Sequence, residues 1–69
     1  MKIVHCESYA SIDGNTVEMA ITRHCIGTKA EYYAFKAMVN GVVHRCHTGK
    51  SASYVYDKMN EFAMFNKKA

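Results

Sequence analysis

AFKAMVNGVVHRCHT, residues 34–48, holds two alternating runs joined at Asn40-Gly41. Asn-Gly between such runs is the strongest short-range signal of a β-hairpin, because both residues tolerate the positive φ of a two-residue turn. The spacing predicts strands over 32–39 and 42–48, with Val39 opposite Val42, Ala37 opposite His44 and Phe35 opposite Cys46. Directly opposed residues share a face. Tyr33, Phe35, Ala37, Val39, Val42 and Cys46 then form an inner face. Tyr32, Lys36, Met38, Val43, Arg45 and His47 form an outer one.

Working outward, Asp13-Gly14 repeats the signal nearer the start. Read as a second two-residue turn, it predicts strands over 2–11 and 16–25, with Ala10 opposite Val17 and Cys6 opposite Ile21. One face collects Val4, Cys6, Ser8, Ala10, Val17, Met19 and Ile21. The other collects His5, Glu7, Tyr9, Glu18, Thr22 and His24. Apolar and polar residues separate cleanly, and a one-residue slip would exchange the faces of a strand. Residues 26–31, with Gly27, connect the two hairpins.

Beyond Thr48 the period changes. Ala52, Val55, Met59, Phe62 and Ala63 recur at three- and four-residue spacings, which predicts a helix with one apolar stripe. Thr48 and Ser51 are candidate N-caps. Tyr54, Met64 and Phe65 fall off the stripe, and residues 66–69 read as a frayed tail. The expected fold is α+β: a four-stranded antiparallel sheet of two hairpins, with one C-terminal helix on one face.

The chain has 69 residues, enough for one domain with a thin core. Its formal charge is +3, with nine Lys and Arg against six Asp and Glu. That is mild beside a dedicated nucleic-acid binder. Three cysteines cannot all pair within one chain, which argues for a reducing compartment. No apolar run is long enough for a membrane span and no signal-peptide pattern opens the chain. The expectation is a soluble, cytoplasmic protein without a membrane association.

Three His-Cys groupings invite a zinc site: His5-Cys6, His24-Cys25 and, within 44–47, His44, Cys46 and His47. Structural zinc usually takes ligands from tight C-x₂₋₄-C knuckles, which are missing here. Alternation along a strand also sends neighbouring residues to opposite faces. The cysteines read instead as small buried apolar residues, and no metal or cofactor is expected. Cys46 with His44 is the one pair arranged for thiolate chemistry, but a single thin sheet and helix offer no enclosed pocket. Gly49-Lys50-Ser51 ends like a phosphate-binding loop, yet His44 stands where that motif needs its first glycine.

Binding is therefore the expected activity, carried by Tyr9, Tyr32, Lys36, Arg45 and His47 on the outer face. Aromatic rings interleaved with cations on an open sheet can stack bases and contact phosphates. The same polar face is also what a half-buried sheet shows to water.

Residues 33–63 resemble the second half of a double-stranded-RNA-binding domain: strand, Asn-Gly turn, strand, Gly-Lys-Ser segment, helix. That resemblance implies RNA binding. The family's lysine pair at the helix start is replaced here by Ala52 and Ser53, and residues 1–30 read as a hairpin where the family has a helix. In size and build the whole chain also resembles small phage-encoded inhibitors such as anti-CRISPR proteins. This likeness implies a non-enzymatic phage or mobile-element protein that covers a functional surface of a host protein or nucleoprotein complex. A nucleic-acid-binding module and a metal-stabilised structural domain are the alternatives, and self-association is left open.

Overall fold

The computed structural model describes residues 1–69. Strands β1 (Lys2–Ala10), β2 (Thr16–His24), β3 (Tyr32–Val39) and β4 (Val42–Gly49) precede helix α1 (Ala52–Phe65). The strands lie in the order β1-β2-β3-β4, each antiparallel to the next. Helix α1 covers one face, packing on β2, β3 and β4. This is the expected α+β architecture.

The core comes from the two central strands and the helix. Val17, Met19 and Ile21 of β2 and Phe35 and Ala37 of β3 meet Val55, Met59 and Phe62 of α1. The helix docks through the stripe its spacing predicts. Phe35 and Phe62 meet edge to face, with centroids 6.4 Å apart and planes at 64°, a favoured aromatic geometry. The edge strands contribute no fully buried residue.

Asn40-Gly41 forms the expected two-residue turn, with φ of 51° and 81° and Val39 opposite Val42. Asn40 also ties the hairpins together. Its N–H donates to the Thr16 carbonyl, its Oδ1 accepts from the Thr16 N–H, and its Nδ2 donates to Asn15 Oδ1.

The first turn differs from expectation. Ser11 N–H donates to the Asn15 carbonyl and Gly14 N–H to the Ser11 carbonyl. The loop thus holds three residues, closed by Gly14 at φ 82°, the three-residue hairpin with a glycine bulge. The extra residue slides the pairing by one. Tyr9, not Ala10, opposes Val17, and Cys6 opposes Ala20. A further irregularity between Ile3 and His5 sets His5 opposite Ile21. His5, Glu7 and Tyr9 therefore lie on the helix face, and Cys6, Ser8 and Ala10 on the open one.

A second slip occurs in β4. Met38 opposes Val43 while Ala37 opposes Arg45, so His44 is an extra residue and Phe35 faces His47 rather than Cys46. Such a bulge redirects every side chain beyond it. Arg45 and His47 turn to the helix face, and Cys46 to the open face. As a result the cysteines are not buried: Cys6, Cys25 and Cys46 are all exposed, the last strand residues having changed sides and Cys25 sitting in a turn at φ 53°.

The tail is not frayed. Ile12 N–H donates to the Lys67 carbonyl, Ala69 N–H to the Ala10 carbonyl, and Ser11 bridges Lys68. The Tyr9 hydroxyl donates to the Asn66 carbonyl. Lys68 Nζ lies 5.4 Å above the Tyr9 ring and 3.5 Å from Glu7 Oε2. These contacts fasten the chain end over β1, which the helix also touches through the Tyr56 ring, edge-on to His5 at 6.2 Å, and bury Ser11 beneath it.

Candidate binding site

Residues Tyr54, Lys58, Glu61 and Phe65 recur at spacings of four, three and four, so they form a second stripe beside the core stripe of α1. This stripe faces the helix side of β4. Gly49 makes the approach possible: a Cβ there would stand 2.8 Å from Tyr54 Cδ2. The Tyr54 ring meets the His47 ring edge-on at 6.5 Å and 81°. His47 in turn lies parallel to Phe35 at 6.4 Å, so the core holds the imidazole in place.

Toward the C-terminal end of the helix, α1 and β4 part into an open cleft of about 350 Å³. His44, Arg45 and His47 line its strand side, and Lys58, Glu61, Phe62, Phe65 and Asn66 its helix side. The bulge at His44 puts three chemical handles, His44, Arg45 and His47, at one mouth. Lys58 is engaged, 3.4 Å from Glu61 and 5.5 Å above the Tyr54 ring. Arg45 has no carboxylate partner in the chain; its Nη1 donates only to the neighbouring His44 carbonyl at 2.8 Å. Phe65 is 85% exposed. The cleft thus offers a free guanidinium, two imidazoles and an unburied aromatic ring, a set suited to an acidic or hydrogen-bond-accepting surface.

The five residues expected on one outer face divide among three places. Arg45 and His47 come together in the cleft. Tyr32 and Lys36 lie on the open face, with the Tyr32 ring stacked on His24 at 4.8 Å and 9°. Tyr9 belongs to neither: it packs on the core under the tail, and burial, then the nearby Glu7 charge, push its phenol above the usual range. Lys58, Glu61 and Phe65 escape the sequence reading. Their signal is the large apolar residues off the core stripe, Tyr54 and Phe65, whose helix side needs a purpose other than the core.

The other candidate chemistries take definite positions too. His5 and Cys6 point to opposite faces, and the bulge parts His44 in the cleft from Cys46 on the open face. No three His, Cys, Asp or Glu side chains stand together as a metal site. Ser51 occupies the N-cap position of α1 but makes no side-chain cap; its hydroxyl bonds to that of Ser53. No helix is long and apolar enough to cross a membrane. In comparisons with known proteins the chain matches no family model, no curated protein and no solved structure.

Proposed function

We propose that this chain is a non-enzymatic binding protein that occludes an acidic functional surface of a host protein or nucleoprotein complex, as small phage-encoded inhibitors do. The β4–α1 cleft is its gripping surface. One observation carries this reading: Arg45, without a carboxylate partner, stands at the same cleft as Phe65, which is 85% exposed. A water-facing phenylalanine gains from being covered. A guanidinium beside it supplies directed, charged hydrogen bonds. Arginine and aromatic residues dominate binding hot spots for these reasons. The cleft also borders β4, an edge strand, so a partner laid there meets unpaired backbone as well as side chains.

The test is a pull-down from bacterial lysate, with and without nuclease, using the parent, Arg45→Glu and Phe65→Ala. A nuclease-resistant partner captured by the parent and lost from both variants supports the proposal. Capture abolished by nuclease, with affinity falling steeply as salt rises, assigns the cleft to nucleic acid instead. Undiminished capture by both variants removes the function from the cleft.

A further inference from the structure

The face of the sheet opposite the helix has no cover within the chain. Three rows cross its middle: Ser8, Glu18, Met38 and Val43; Cys6, Ala20, Lys36 and Cys46; and Ile3, Thr22, Ala34 and Thr48. Within these rows Glu18 and Lys36 are the only charged residues. They sit on the two central strands, at diagonal positions in adjacent rows, and neither makes an ion pair within the chain. Around them these rows are small or apolar, with Ile3 61% and Val43 51% exposed, and the stacked Tyr32 and His24 rings stand at one end of the face. A shallow dimple of about 190 Å³ opens at the centre, between the two charges.

From this arrangement we infer that the open face pairs with the same face of a second copy of the chain. One positive and one negative charge at the centre of a neutral patch are self-complementary. A two-fold axis in the interface, perpendicular to the line joining Glu18 to Lys36, sets each carboxylate over the other copy's ammonium. Such isologous contacts are the commonest route to a dimer, and face-to-face sheets pack about 10 Å apart. Like-sheet stacking also covers Ile3 and Val43. The size is at the lower edge of what a pair needs: four strands spaced about 4.8 Å, with about eight residues rising about 3.3 Å each, span roughly 500 Å² in projection. The corrugated side-chain surface is larger, against the roughly 600–1,000 Å² per partner of a stable pair. The helix and the β4–α1 cleft stay outside this contact, so a dimer presents two clefts facing away from each other and binds a repetitive partner with avidity.

The test is charge exchange, read by sedimentation equilibrium from about 1 µM to about 1 mM. Glu18→Lys alone and Lys36→Glu alone place like charges across the axis, and each weakens association at least tenfold. The double variant restores the parent's association. An equimolar mixture of the two single variants forms a heterodimer more stable than either homodimer, because all its cross-axis pairs are opposite in sign. Val43→Asp, at an exposed position on the same face, weakens association independently of the charge pair. Far-ultraviolet circular dichroism checks that each variant is folded. A parent that stays monomeric throughout the range overturns the inference and leaves the face to a different partner. Single variants that associate like the parent, or a mixture no better than its components, overturn it as well.

Discussion

Phe62 and Phe65 are one helical turn apart and should behave as opposites. Phe62 is 7% exposed and packs edge-to-face on Phe35; Phe65 is 85% exposed. Burying a phenylalanine side chain removes about 150–200 Å² from water, worth about 4–5 kcal/mol at about 25 cal/mol per Å². Truncation to alanine keeps the Cβ but leaves a cavity, so Phe62→Ala should cost about 3–5 kcal/mol. A domain of this length is held by roughly 3–10 kcal/mol in total. Phe62→Ala is therefore expected to be largely unfolded at 37 °C or to melt far below the parent. Phe65→Ala removes little buried area and should shift stability by no more than about 0.5 kcal/mol. Yet as a cleft anchor it should weaken partner binding by about 2 kcal/mol, about thirtyfold. Urea titrations followed at 222 nm measure the first quantity, and titration of the captured partner measures the second. Equal destabilisation by the two substitutions would mean that the helix docks through a different stripe, and the assignment of both core and cleft would fall together.

Phe35→Ala, at the centre of the same cluster, should also cost about 3–5 kcal/mol, visible as a lower urea midpoint at unchanged slope. The Glu7 carboxyl lies below its ordinary range, chiefly through the hydrogen bond from His5 and then the Lys68 charge acting against partial burial. Its stabilisation is complete above the unfolded carboxylate range and fades as pH falls through the lower folded value. Glu7→Gln should therefore lower the urea midpoint at pH 7 and flatten its decline toward pH 3; an unchanged acid limb rejects the tail clasp. Asn40→Gly keeps the positive φ but loses the side-chain bonds to Thr16 and Asn15, a cost of about 1 kcal/mol. Asn40→Ala adds the left-handed strain of about 1–2 kcal/mol, and equal melting of the two variants would contradict the strained turn. Arg45→Glu should leave the melting temperature within a few degrees of the parent, as for other exposed residues, while abolishing capture of an acidic partner.

Local chemistry made much of this fold legible. Asn40-Gly41 sets a turn because its two residues tolerate positive φ, and that information lies in two adjacent positions. The stripe of Val55, Met59 and Phe62 is equally local, since three- and four-residue spacing specifies a helix face whatever lies across from it. All five elements follow from such cues, to within a residue or two at their ends. The cleft was half legible. Arg45 and His47 stand out by type, but their company depends on one extra residue, His44, in the strand between the turn and them.

Local sequence thus specifies the set of elements, the antiparallel pairing within each hairpin and the core face of the helix, while the order β1-β2-β3-β4, with β2 beside β3, comes from the tertiary structure. Tertiary structure alone decided which way β1 and the far half of β4 face. A two-residue and a three-residue loop at Asp13-Gly14 make comparable backbone hydrogen bonds, so nothing local separates them strongly, yet they place opposite side chains toward the core. The choice rests on distant partners. In the observed register Tyr9 lays a large ring over the core and bonds to the Asn66 carbonyl, while Glu7 meets His5 and Lys68. The alternative would put the smaller Cys6, Ser8 and Ala10 there and leave the tail without these contacts. Residues more than fifty positions apart in the chain thus settle a one-residue slip, because buried area and the pairing of polar groups under the tail exist only once the helix and tail have docked.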